Sequence, residues 1–102
     1  MATEGCADWP RAELPEDYFE PVVWDGPVYI LSGELDPATP PRWGDEAART
    51  LSGATHHVIV NTGHGTLSVP CVARSIEAFL EGEEPELCAP EATPFFVDGL
   101  GP

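Results

Sequence analysis

Two short apolar runs, "VYILS" at residues 28–32 and "HHVIVNT" at residues 56–62, govern what this chain can fold into. A continuous β-branched run of this length suits a strand buried on both faces, as in a parallel sheet. Between the runs, "TPPRWGDEAARTLSGA" reads as a helix. Thr39 is placed as its N-cap, and Pro40 or Pro41 sits where a missing N–H costs nothing. Trp43, Ala47 and Leu51 recur every four residues along one face, and Gly53 is a C-terminal stop. Beyond the second run, Val69, Val72, Ala73, Ile76, Phe79 and Leu80 repeat at helical spacing over residues 69–81, and Gly82 stops them. Gly33 is expected to end the first strand. The order strand, helix, strand, helix predicts an α/β fold with two parallel strands, about one and a half βαβ units.

Two strands make a poor sheet, because each leaves an edge unpaired and its faces half covered. The chain therefore reads as one side of a larger α/β sheet, with no internal repeat. Its 102 residues allow at most one small domain. Residues 1–27 form a lead-in rich in proline and acid, with scattered aromatics (Trp9, Tyr18, Phe19, Trp24) but no periodicity. Irregular structure, packed on something by those aromatics, is expected there. Residues 28–88 carry the strands and helices. An acidic, proline-rich stretch starts at Glu83, and residues 89–102 read as a tail with one apolar patch, "PFFV".

Charge removes two classes of partner. Eighteen acids face four bases, for a formal charge of −14. Phosphate backbones and anionic membrane surfaces would repel such a chain, so nucleic acid is excluded as a partner. The plain reading of the acidity is a solvated surface. The longest apolar run is far too short to span a membrane. The opening residues, "MATEGCADWPRAELPEDYFE", have neither a basic n-region nor an apolar h-region, so no signal peptide is expected in this chain.

Functional groups in open α/β sheets gather at the carboxyl ends of the strands. Asp36 lies four residues after "VYILS", and His64 four residues after "HVIV". If the strands are neighbours, the two loops emerge on one edge and the side chains can meet. A carboxylate accepting the Nδ1–H of an imidazole fixes its tautomer and stabilises the imidazolium formed on proton uptake. Gly63 and Gly65 flank the histidine and permit a tight turn. The plainer alternatives are an Asp-Pro turn or cap and a solvated loop histidine. Glu34 competes for the acid role but sits at the strand's end without the proline. A metal site from His56, His57 and His64 has no ligand spacing to recommend it, so no metal is expected. His56 and His57 open a strand and read as one exposed and one packed imidazole. Trp43 and Phe79 are expected in the core.

From "PVYILSGELDPATPPRWGDEAARTL" through "NTGHG" to "CVARSIEAFLEGEEPELC", with "CADWP" upstream, the chain resembles the C-terminal part of α/β-hydrolase peptidases. The group is the tripeptidyl aminopeptidase-like one, related to prolyl aminopeptidases, and the likeness covers about residues 6–89. Its Gly-x-x-Asp-Pro-x-Thr-Pro pattern is matched by Gly33, Asp36, Pro37, Thr39 and Pro40. Its Gly-His-Gly turn before the last helix is matched by Gly63, His64 and Gly65. The resemblance implies the C-terminal portion of an α/β-hydrolase fold, an incomplete sheet, and a triad in the order nucleophile, acid, histidine. Asp36 would be the acid and His64 the general base. No cofactor is implied.

One departure is severe: no Gly-x-Ser-x-Gly nucleophile elbow occurs in the sequence. Ser32, Ser52, Ser68 and Ser75 lie in other contexts. What the resemblance implies is therefore a segment of a serine-type aminopeptidase that holds two triad members and lacks the nucleophile, the oxyanion hole and the substrate-binding cap. Its partners would be a peptide substrate and an upstream segment or second chain completing the sheet. A non-catalytic binding or assembly module and an esterase or lipase segment of the same fold are the alternatives. Cys71 and Cys88 read either as buried free thiols or as a pair. The resemblance favours a disulfide, since relatives carry cysteines before and after this helix, and the two Cα atoms should then lie about 4.4–6.8 Å apart. Cys6 would be left over, with a partner upstream. Disulfides imply a secreted or periplasmic parent protein.

Overall fold

A computed structural model of the chain describes residues 5–90. Strand β1, Val28–Gly33, pairs in parallel with strand β2, Ala54–Ile59. Val28 stands opposite Ala54 and Gly33 opposite Ile59. Helix α1, Pro41–Ala48, connects them. A 3₁₀ turn at Thr66–Ser68 leads from β2 into helix α2, Pro70–Leu80. This is the expected parallel α/β order, an open two-stranded sheet.

Side chains on a strand alternate between faces, so the register sorts the sheet at once. Ile30, Ser32, His56 and Val58 share one face with α1. Tyr29, Leu31, His57 and Ile59 share the other, where the rings of Tyr29 and Phe79 of α2 lie 5.4 Å apart. Among the described residues the hydrophobic core is Ile59, Val72 and Cys88, with Leu31, Val69, Cys71 and Ile76 packed around it. Most strand positions are only half-buried. The double burial that such apolar runs demand is thus not met among the described residues, where a single neighbour per strand leaves an edge and much of each face uncovered.

Boundaries moved where hydrogen bonds overrode pattern. Gly33 does not end β1 before its ladder; it is the last paired residue. β2 begins two residues before His56 and stops at Ile59, and Asn61 takes a left-handed backbone (φ 54°), which asparagine tolerates and a strand does not. Helix α1 ends at Ala48 instead of running to Gly53. Beyond it, Leu51 forms a parallel bridge with Trp24, the Trp24 N–H donates to the Thr50 carbonyl, and the Thr50 hydroxyl donates to the Val22 carbonyl. Those bonds draw residues 50–52 out of the helix to hold the end of the lead-in. The described part of the lead-in is irregular as expected, but its aromatics are not buried: Trp9, Tyr18 and Phe19 are exposed. Tyr18 and Phe19 pack edge to face on each other, and Trp24 is half exposed beside its bridge to Leu51. Trp43, expected in the core, is 56% exposed, and Phe79 is half-buried. Helix α2 matches its period and ends at Leu80, with Gly82 just past the cap, where a φ of 80° suits glycine. The "PFFV" patch lies outside the described residues.

Candidate functional site

Two backbone hydrogen bonds tie the loop leaving β1 to the end of β2 and the loop beyond it. The Glu34 N–H donates to the Ile59 carbonyl at 3.0 Å, and the Leu35 N–H to the Thr62 carbonyl at 2.9 Å. Gly33 makes this approach possible. A Cβ there would fall onto the Gly63 carbonyl oxygen and lie 2.5 Å from that of Thr62. The motif glycine is therefore a requirement for the two loops to touch. Gly33→Ala is expected to part them, at the upper end of about 1–3 kcal/mol for overpacking. Urea denaturation reads the loss, and wild-type stability in that variant would refute the requirement.

On this platform Asp36 is buried, 5% exposed. Its Oδ1 accepts the N–H groups of Ala38 (2.9 Å) and Thr39 (3.1 Å). Its Oδ2 accepts the Thr39 hydroxyl at 2.7 Å and lies 2.8 Å from Nδ1 of His64. An ionised carboxylate only accepts, so Nδ1 of His64 carries the proton it donates to Asp36. The Thr39 oxygen lies 3.2 Å from the same nitrogen. The imidazole is largely solvent-exposed, and its Nε2 has no hydrogen-bond partner among the described residues. Asp36 and His64 thus meet at the carboxyl edge of the sheet: a buried, fully bonded carboxylate holds an open imidazole in one tautomer.

Burial by itself would raise the pKa of Asp36. The opposing hydrogen bonds, from the Thr39 N–H and hydroxyl, His64 and the Ala38 N–H, outweigh it and hold the carboxyl well below the usual carboxylate range. A depressed folded-state pKa gives stability that is present above the unfolded value, about 3.9, and is lost as pH falls toward the folded one. Wild-type protein should therefore lose more stability than Asp36→Asn between pH 7 and pH 3 in urea titrations. Equal losses would contradict the assigned hydrogen bonds.

The remaining candidates are settled by position. Glu34 does not reach His64; its Oε1 accepts the Asn61 N–H at 3.1 Å. Thr39 is not the helix cap, which is Pro40 without a side-chain bond, because its hydroxyl is engaged by Asp36. His56 and His57 point to opposite faces of β2, and both are partly buried. His57 bonds the Tyr29 hydroxyl at 2.6 Å, and burial lowers its pKa. His56 lies between Ser32 and Asp45. The expectation of one exposed imidazole is corrected: each found a partner across the sheet. No cluster able to hold a metal occurs among the described residues. No serine hydroxyl bonds His64: Ser68 donates to the Gly65 carbonyl and Ser75 to that of Glu86.

Cys71 and Cys88 form a disulfide with Cα atoms 5.5 Å apart, while Cys6 is free and exposed. Pattern reading missed two features, the Thr39 hydroxyl on the acid and the Ser32–His56–Asp45 chain. For the second, the signal available was parity: in a parallel pairing Ser32 and His56 fall on the same face.

Comparison with known proteins gives the family. A family model described as TAP-like protein matches residues 1–91. No curated protein and no solved structure matches the chain. With a match over most of its length and a parallel strand–helix–strand–helix frame, the chain belongs to the TAP-like family of α/β hydrolases.

Proposed function

We propose that this chain supplies the acid and the histidine of a serine-type α/β hydrolase, an aminopeptidase releasing short peptides or proline from peptide N-termini. The observation that carries the reading is the 2.8 Å contact between a buried Asp36 carboxylate and an exposed His64 ring whose Nε2 has no hydrogen-bond partner among the described residues. A serine on a segment outside this sequence would attack the scissile carbonyl. His64 Nε2 would take the serine proton and return it to the leaving amine, while Asp36 stabilises the imidazolium between those steps. The half-covered sheet is the surface on which that segment would pair. The disulfide supports a secreted or periplasmic parent protein.

The test is reconstitution. The purified chain alone should not hydrolyse chromogenic aminoacyl or tripeptidyl anilides or short-chain esters, since triad members act as a unit. Joined to a family segment carrying Gly-x-Ser-x-Gly, it should turn over the anilides, and His64→Ala should abolish that turnover. An inactive joined protein of normal fold would favour a binding module. Preference for esters would move the reading to an esterase.

A further inference from the structure

Helix α1 is attached to the sheet in an unusual way: none of its residues is buried, and it has no side-chain N-cap. Yet it starts two residues after Thr39, the residue that gives both an N–H and a hydroxyl to Asp36. Whatever seats α1 also places Thr39.

The seat is polar. Ser32 of β1 lies 2.7 Å from Nε2 of His56 on β2, and Nδ1 of His56 lies 2.9 Å from Oδ1 of Asp45 on α1. With Asp45 ionised and accepting only, Nδ1 holds the His56 proton and Nε2 accepts from the Ser32 hydroxyl. The atoms are those of a Ser–His–Asp relay, but Ser32 is buried and Gly44 closes over it. A Cβ on Gly44 would overlap the His56 ring and lie 2.9 Å from the Ser32 oxygen. No space remains for a substrate carbonyl. The relay spans β1, β2 and α1 and has a different task from chemistry.

We propose that Ser32, His56 and Asp45 are positioning residues. They lock α1 against the sheet through the Gly44 contact, and so hold Thr39 where it orients Asp36 and, through Asp36, the tautomer of His64. This rests on Asp36 and His64 being the acid–histidine pair. It adds that the pair is held from the opposite end of the connection, across the face of the sheet. Three properties suit the task. The His56 side chain is only 10% exposed and Ser32 is buried, so the bond between them is shielded from water. The tautomer is set by Asp45, giving the chain one direction. Removal of the central ring would leave a buried serine hydroxyl unpaired, so the arrangement is not neutral to lose.

The test reads His64 in the purified chain by long-range ¹H–¹⁵N correlation, which separates Nδ1–H from Nε2–H imidazole without any activity. Wild type should show His64 as Nδ1–H. His56→Phe, which removes the relay, and Gly44→Ala, which wedges α1 off His56, should both lose the single tautomer and give a mixture. Asp45→Ala, at an exposed side chain that leaves the fold intact, should do so in part, with Asp45→Glu restoring the wild-type spectrum. Thr39→Val should reproduce the loss directly. Circular dichroism and the Cys71–Cys88 linkage should stay unchanged throughout. A wild-type His64 spectrum in both Gly44→Ala and Asp45→Ala would overturn the proposal, as would one in Thr39→Val. An inactive reconstituted enzyme whose His64 still responds to these variants would instead count against the proposed catalysis alone.

Discussion

Asp36→Asn, in the chain joined to a nucleophile-bearing segment, is expected to lower kcat about 10⁴-fold, the effect of misorienting the histidine in enzymes of this mechanism. The substitution is nearly isosteric. Asparagine Oδ1 can still accept from Ala38 and Thr39, which now donate to Asp36 Oδ1. Its amide, however, would place an N–H donor where Oδ2 now faces His64 Nδ1 at 2.8 Å. The imidazole would answer by moving its proton to Nε2, and a protonated Nε2 cannot accept from a serine. Loss of activity without loss of fold is the signature. It should be read as kcat with KM little changed, together with His64 as Nε2–H by NMR. A variant within tenfold of wild type would remove Asp36 from the triad and reopen the case for Glu34, which in the structure bonds Asn61 instead.

The second large effect is on stability. Cys71 and Cys88 are 17 positions apart, and opening a loop of that size costs about 3 kcal/mol in the chain-entropy account. For most proteins that would be one contribution among many. Among the described residues the buried hydrophobic cluster is Ile59, Val72 and Cys88 itself, so the linkage lies within the core. Small domains with this little buried surface depend on such staples. The linkage also returns residues 86–88 onto α2, where the Ser75 hydroxyl donates to the Glu86 carbonyl at 2.6 Å. Cys71→Ser with Cys88→Ser, or reduction of the wild type, should lower the urea midpoint in step with that cost. The peptides should be found linked by mass spectrometry when purified without reductant. Equal midpoints for oxidised and reduced protein would show that the fold does not rely on the bond.

Much of this was legible in the chain's own residues. The two apolar runs, with a helical period after each, led to a parallel strand–helix–strand–helix order because period and burial pattern are local properties of side chains. Asp36 and His64 each follow the carboxyl end of a strand, the first by three residues and the second by five, and parallel pairing brings those two ends to one sheet edge. What pairing depended on was not legible. Thr39 read as a helix cap because cap preference is local, and a buried carboxylate three residues back claimed its hydroxyl instead. Trp43, Ala47 and Leu51 formed a helical stripe, yet the helix stopped at Ala48 because Leu51 was taken by a bridge to Trp24, a contact set by the path of the lead-in. His56 was one of two adjacent imidazoles in the sequence. Only the packing of α1 over β2, with a glycine at the contact, turned it into the centre of a three-element relay. Local chemistry determined which elements form and which loops carry polar groups. Tertiary structure alone decided which partner each polar group found, because hydrogen bonds between elements are fixed by distances that no stretch of sequence contains.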